Sequence, residues 1–211
     1  MSDVDKEMLI KDGVKTKVES SPSFIPSSRK EFPTIKTTKK RLTFIGVGSH
    51  LPNYDGLLWF IKYIHPVLKS KVGDYQLDII GKGWNELENS NLTPSNFNFL
   101  GFVDDLANVI PGSVMIVPIR TGSGMRMKIL ESVNYCVPFI SCKVGAEGMG
   151  FVDGENCFIE DDASKFADKL VKLLNDEKLQ EKFVMEARVH YNKTYSPNVL
   201  ANRRLSILQS I

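Results

Sequence analysis

Residues 114–131 read VMIVPIRTGSGMRMKILE, and this stretch decides the fold. The segment 114–117 is entirely apolar, which is typical of a strand buried on both faces of a parallel sheet. Gly122 and Gly124 follow where the chain must turn, and the residues after them have the composition of a helix. The stretch therefore predicts a strand, a glycine turn and a helix in succession. The apolar residues 137–141 predict a second buried strand after the helix.

The turn carries groups that suit an oxygen-rich anion. Its glycines lack a Cβ atom, so a ligand could approach the backbone amides closely. Arg126 and Lys128 place two cations in the first turn of the predicted helix, where the helix dipole disfavours positive charge. A bound diphosphate would remove that conflict, because it attracts both amides and cations. Glu131 follows on the side of Lys128, and its carboxylate can accept two hydroxyl hydrogen bonds, as from a ribose diol.

The same residues also allow a structural interpretation. Short Gly-x-Gly turns are common connectors between a strand and a helix. Lys128 and Glu131 are three residues apart, so they could pair on a solvated helix face with a gain of about 0.2–0.5 kcal/mol. The anion-site hypothesis depends on two cations and a carboxylate at fixed offsets from the turn.

Composition and charge exclude several classes of protein. The 211 residues are 42% hydrophobic and 25% charged, with a net charge of +2, which gives no support to a nucleic-acid partner. The chain has no apolar run of membrane-spanning length and no signal peptide at its start. Three cysteines without metal-ligand spacing fit small core residues in a reducing compartment. We therefore expect a cytoplasmic protein, a location that allows peripheral contact with the inner face of the membrane.

From residue 41 onward, strands alternate with helices. This alternation predicts an α/β fold with a mostly parallel sheet and helices on both faces over residues 41–211. Residues 1–40 are predicted to be a leader and linker, because Ser, Pro and Thr dominate residues 20–40. Within the leader, a short helix is expected at 5–10 and a short strand at 15–19. The predicted strands are 41–47, 76–80, 97–100, 113–117, 137–141 and 156–159, and the helices are 55–69 with Asp55 as its cap, 104–110, one ending near 135, 162–174, 177–191 and 197–209.

Four of the predicted strands end in loops that contain glycine, at residues 46–48, 81–83, 101 and 122–124. Because the carboxyl ends of parallel strands meet at the same edge of a sheet, these loops should gather there. That edge is where open α/β sheets bind their ligands. The sequence therefore predicts a ligand site at this edge.

Six segments then carry a resemblance to a known family. They are LTFIG at 42–46, PNYDGLLWF at 52–60, LDIIGKG at 77–83, FLGFVDDL at 99–106, the Gly-x-Gly-x-Arg-x-Lys-x-x-Glu pattern at 122–131, and GAEG at 145–148. In this order they resemble the C-terminal, donor-binding half of GT-B glycosyltransferases of the large group 4 of retaining enzymes. The resemblance covers residues 41–211 and implies a Rossmann-like domain, one half of a GT-B fold. Residues 2–35 resemble the end of the N-terminal half and the linker between the halves.

The resemblance implies a site for a nucleoside diphosphate sugar. Glu131 would hold the ribose hydroxyls, and the backbone of the glycine turn would face the diphosphate and the donor sugar. Arg126 and Lys128 would be candidate phosphate cations. The loop at Phe102 and Val103 would read the base edge with its backbone. Gly46 and Gly48, from the first strand, would border the phosphates. The implied binding residues are Gly46, Gly48, Phe102, Val103, Gly122, Ser123, Gly124, Met125, Arg126, Lys128 and Glu131. The nucleotide sugar would be the substrate, and neither a metal ion nor a further cofactor is implied.

Three departures from the family pattern matter. The first acid of the family's paired-glutamate motif, which contacts the donor sugar, is replaced by Ser123. In the family, cations follow the first strand, but this chain has other residues there, among them His50. His50 is better explained as a surface loop residue than as a hydrogen-bond donor to a phosphate. The acceptor-binding N-terminal half is absent, so we expect such a domain as a partner, in the same gene product or in trans. No catalytic residue is assigned.

Three other functions stay open at the level of sequence. A dinucleotide oxidoreductase is suggested by Gly46 and Gly48, but the third fingerprint glycine would fall at Leu51, and residues 66–70 offer no acid for the ribose. A nucleotide-sugar epimerase shares the implied fold. A non-catalytic nucleotide-binding module is favoured by Ser123 and by the missing half.

Overall fold

A parallel sheet forms the centre of the computed structural model, which describes residues 3–23, 25 and 40–210. Its six strands lie in the order β3-β2-β1-β4-β5-β6, and every neighbouring pair is parallel. This confirms the predicted Rossmann-like α/β fold. The strands are β1 Arg41–Ile45, β2 Gln76–Ile80, β3 Phe97–Gly101, β4 Val114–Val117, β5 Phe139–Ser141 and β6 Phe158–Ile159.

Helices connect the strands and follow the last of them. A π-helical segment, Phe60–Ile64, joins α2 to α3, so that residues 51–72 form one continuous helix. α3 packs against α7, and α5 packs against α8. No helix in the described ranges is long and apolar enough to cross a membrane. The helices are α1 Asp3–Lys11, α2 Leu51–Trp59, α3 His65–Val72, α4 Asn85–Glu88, α5 Met127–Asn134, α6 Lys143–Ala146, α7 Ala163–Asn175, α8 Glu177–Thr194 and α9 Pro197–Gln209, with a short 3₁₀ turn at Leu106–Asn108.

Strand order places a crevice at the centre of one sheet edge. From β1 the chain crosses to β2 on one side, and from β4 it crosses to β5 on the other side. Because such crossovers are right-handed, the helices that follow β1 and β4 lie on opposite faces of the sheet. The loops after these two strands therefore flank the topological switch point, where ligands bind in folds of this kind.

The buried strands agree with the pattern that predicted them. All four residues of β4 are at most 1% exposed, as expected for a strand covered on both faces. β1 contributes Leu42 and Phe44, both fully buried, to the same core. A long apolar core therefore holds the carboxyl ends of β1 and β4 in fixed positions.

Some local predictions were wrong. Asp55 does not cap a helix, because α2 begins at Leu51, and the Asp55 carboxylate instead binds the Arg120 guanidinium at 2.9 Å. Residues 15–19 form no strand. Asp105 does cap a helical turn by accepting from the amide of Ala107, but that turn ends at Asn108. Much of the predicted linker, residues 26–39, lies outside the described residues.

Candidate functional site

The turn after β4 presents a run of backbone amides. Gly122 and Gly124 have φ angles of +96° and +83°, in the left-handed region that favours glycine. From Gly122 to Lys128, no backbone amide donates a hydrogen bond to any described residue. The last of these amides belong to the first turn of α5, where a helix leaves its N–H groups unsatisfied. Such a run at a helix N-terminus attracts anions.

Arg126 braces this turn from within. Its guanidinium donates to the carbonyl oxygens of Ser123 and Gly124, the second at 3.0 Å. Burial lowers the pKa of Arg126, while Glu147 and Asp5 act in the opposite direction. The guanidinium is thus directed at carbonyl oxygens of the turn, and its role as a phosphate cation stays a prediction. Its observed effect is to hold the carbonyls of the turn, which restricts the turn's conformation.

Lys128 is buried under the turn. Its side chain reaches Asn53, with 2.9 Å between Nζ and Oδ1, and the ammonium lies 4.3 Å from the centroid of the Phe44 ring. Burial, followed by the repulsion of Arg126, lowers the pKa of Lys128 to about 7, and Glu131 opposes this shift. No ion pair joins Lys128 to Glu131 in the described chain. The structural alternative of a solvated Lys–Glu pair is therefore wrong.

Asn53 is a site residue that sequence reasoning missed. Its Nδ2 donates to the carbonyl of Val47 at 2.9 Å, while its Oδ1 accepts from Lys128. The side-chain amide of Asn53, near the start of α2, thus connects the loop after β1 to α5 across the switch point. A polar residue early in a helix that follows a glycine loop was the available signal.

Gly46 and Gly48 allow two neighbouring loops to pack closely. Their amides donate to the carbonyls of Ile80 and Lys82, both at 2.8 Å. A Cβ on Gly48 would lie 2.2 Å from the Gly83 carbonyl oxygen. These glycines therefore let the loops after β1 and β2 touch. That they border the phosphates of a ligand stays a prediction.

Glu131 presents its carboxylate beside the turn. The side chain is half-buried, and it forms no hydrogen bond with any residue that the structure describes. Burial raises the pKa of Glu131, and the nearby Lys128 opposes that shift. A partly desolvated carboxylate with free lone pairs is a strong acceptor for hydroxyl groups.

Phe102 provides an aromatic surface at the same sheet edge. It follows β3 and is 65% exposed, with the ammonium of Lys82 at 5.3 Å from its ring centroid. Val103 packs against the core beside it.

The remaining predicted positions lie in the turn itself: Ser123 is exposed and Met125 is half-buried. The exposed His50 precedes α2 without capping it.

Comparison with known proteins identifies the family. Residues 39–176 match the family of glycosyl transferases group 1. The chain belongs to this family. An uncharacterized 44.6 kDa protein in the cps region of Klebsiella pneumoniae is 26% identical over 129 residues, which are 56% of this chain and 33% of that protein.

Solved structures of glycosyltransferases share the fold. TarM of S. aureus, in complex with fondaparinux, alpha-GlcNAc-glycerol and UDP, has a TM-score of 0.81 at 16% identity over 98% of this chain and 42% of its own. Anabaena HepE with UDP-glucose has a TM-score of 0.67 at 13% identity over 82% of this chain and 50% of its own. The C-terminal domain of the group 1 protein LpcC from Francisella tularensis has a TM-score of 0.57 at 21% identity, over 75% of this chain and 87% of that domain. The chain thus spans half or less of TarM and HepE.

Proposed function

We propose that this chain is the donor-binding half of a retaining glycosyltransferase, which transfers a sugar from a nucleoside diphosphate sugar to an acceptor. The observation that carries the proposal is the run of amides from Gly122 to Lys128 at the switch point, with the Glu131 carboxylate beside it, all without hydrogen-bond partners among the described residues. Two similarities support it. HepE was crystallised with UDP-glucose, and LpcC is matched through its C-terminal domain.

In this proposal the amides stabilise the negative charge that develops on the leaving diphosphate. Such preorganised donors need no reorganisation during the reaction, and a site built from them requires no metal ion. Arg126 would contribute by holding the turn's carbonyls away from the anion. Lys128 would contribute an amine just below the turn, whose charged form a bound anion would favour. Glu131 would accept from the ribose diol, and the loop at Phe102 and Val103 would meet the base. The catalytic group itself is left unassigned.

An acceptor-binding domain would complete the enzyme, and α9 is a candidate surface for it. Leu200 is buried, but Leu205 and Leu208, further along the same helix, are 53% and 68% exposed. Apolar side chains that remain exposed on one helix fit a face that another domain covers. This domain would belong to the same gene product or act in trans.

A thermal-shift panel with UDP, GDP, ADP and NAD tests nucleotide binding. A ligand present at about 100 times its Kd adds about 2.7 kcal/mol to the stability of the folded state. We expect stabilisation by one or more nucleoside diphosphates. A preference for NAD would instead favour a dinucleotide oxidoreductase, and no response to any of the four would contradict the proposed function.

A second candidate is a nucleotide-binding module without catalytic activity. The observation that favours it is Ser123, an exposed hydroxyl where the family places an acid. Transfer assays with radiolabelled nucleotide sugars separate the two functions, provided that nucleotide binding is measured on the same preparation. Tight binding without transfer, even with an acceptor domain supplied in trans, would favour the module.

A further inference from the structure

A cavity of about 160 Å³ lies between α8 and the glycine turn at residues 122–126. Met125 of the turn lines one end, and the loop at Met149 lines another side. The end of α8 contributes His190 and Thr194, and Tyr195 follows directly. The backbone amide of Met125 belongs to the unpaired run, so a group attached to an anion held there would lie next to the cavity.

Hydrogen bonding defines the tautomer of His190. Its Nε2 lies 2.8 Å from the carbonyl oxygen of Met149, so this nitrogen carries the proton and donates. In this tautomer the other ring nitrogen, Nδ1, is an acceptor. No described residue donates to Nδ1. The ring is also packed by Phe151, at 4.7 Å between centroids, which restricts its orientation.

Two further hydroxyl groups belong to the cavity wall. The Tyr195 hydroxyl donates to the same Met149 carbonyl at 2.9 Å, which leaves its oxygen able to accept. The Thr194 hydroxyl forms no hydrogen bond within the described part of the chain. Met125 and Met149 add apolar surface. Unpaired polar atoms beside apolar surface suit a ligand that has hydroxyls on its rim and C–H groups on its face.

The volume suits a six-membered ring. A cavity of about 150 Å³ in another protein holds benzene. Arg203 closes the far wall, where it binds Asp3 at 2.7 Å and also the Ser20 hydroxyl, so the wall is fixed by residues distant in sequence. His190 lies beyond residues 39–176, so the family match assigns it no role.

We propose that this cavity is a subsite for a pyranose ring, whose hydroxyl donates to His190 Nδ1. The inference rests on the proposed function, because the ring would belong either to the transferred sugar or to the terminal sugar of an acceptor. His190 is then a specificity residue: it selects a ring with a hydroxyl at that place.

Calorimetric titration tests the subsite with UDP, GDP and ADP and with their glucose, mannose, galactose and N-acetylglucosamine conjugates. His190→Gln keeps an N–H that can donate to Met149 but removes the Nδ1 acceptor. We expect one nucleotide sugar, or a free monosaccharide added with saturating diphosphate, to bind about 3- to 10-fold more weakly to this variant. Weaker binding of a nucleotide sugar would show that the cavity holds the donor sugar. Weaker binding of a free monosaccharide would show that it holds the terminal sugar of the acceptor. The diphosphate alone should bind His190→Gln as tightly as it binds the wild type. It should also bind Thr194→Val as tightly as the wild type.

Asn192→Ala, an exposed neighbour on the same helix, is the matched control and should change neither affinity. If a diphosphate binds but every sugar binds His190→Gln as tightly as the wild type, the subsite is refuted and the proposed function stands. Equal weakening of diphosphate and nucleotide sugar would also refute it, since His190 would then act through the fold. If no diphosphate binds the wild type, the proposed function and the subsite both fail.

Discussion

Replacing Glu131 with glutamine should weaken nucleotide binding and at the same time stabilise the free protein. The carboxylate is half-buried, has no hydrogen-bond partner in the described chain, and has a pKa raised by burial. A group whose pKa is raised in the folded state destabilises the fold when it ionises, so stability falls as pH rises above the unfolded value of 4.5. Glutamine removes that charge at neutral pH, so the melting temperature without ligand should rise.

The loss of affinity follows from the hydrogen bonds that the carboxylate would accept. Bonds to a charged acceptor contribute about 1.5–3 kcal/mol, and partial exposure places the loss near the lower part of that range, at about 2 kcal/mol. This corresponds to an increase in Kd of about 30-fold. Calorimetry with the nucleoside diphosphate that the thermal-shift panel selects measures it, and Glu177→Gln, an exposed residue at the start of α8, is the matched control.

A double-mutant cycle with a modified ligand isolates the ribose contact. The 2′,3′-dideoxy form of the same diphosphate lacks the hydroxyls, so it should bind wild type and Glu131→Gln with equal affinity. If the variant weakens the dideoxy ligand as much as the parent ligand, Glu131 does not contact the ribose. Unchanged affinity for both ligands would give Glu131 a structural role alone, and our reasoning about this site would be refuted.

Three further perturbations test buried or tightly packed residues, two beside the site and one, His65, at the opposite edge of the sheet. Lys128→Met should flatten the rise in unfolding free energy between pH 7 and 10.5, because the buried amine, with its pKa near 7, binds fewer protons in the folded than in the unfolded state; urea titrations across that range measure it. Gly48→Ala should lower the free energy of unfolding by about 1–3 kcal/mol, since its Cβ would overlap the Gly83 carbonyl, and an unchanged urea midpoint would contradict this. Burial lowers the pKa of His65, so the protein should lose stability as pH falls below 6.5; His65→Gln should reduce that loss, and an identical acid profile in the variant would show that His65 is not its source.

The strands could be predicted because their signal is local. The run QLDII at 76–80 alternates polar and apolar residues and ends in two isoleucines, and β2 has these bounds. The sheet edge that carries the site also follows from the sequence, because parallel strands bring their carboxyl ends together. The same local reasoning failed at Asp55, which looked like a helix cap but pairs with Arg120, a residue 65 positions away.

Side-chain directions at the site could not be predicted for a related reason. The spacing of Arg126 and Lys128 placed both near the turn, which is correct. Their contacts depend on groups that are remote in sequence or supplied by the backbone: Lys128 turns toward Asn53 and Phe44, and Arg126 turns back onto the carbonyls of the turn. A one-dimensional pattern contains the charge of a residue but not the tertiary partner that orients it.

The central claim is that a diphosphate binds the amides of residues 122–128. The most direct test is to titrate isotope-labelled protein with UDP, GDP and ADP while recording the nuclear magnetic resonance signal of each backbone amide. We expect saturable shifts centred on Gly122 to Lys128 with at least one of the three nucleotides. Saturable shifts elsewhere with these amides unmoved, or no shifts at millimolar nucleotide, would contradict the account.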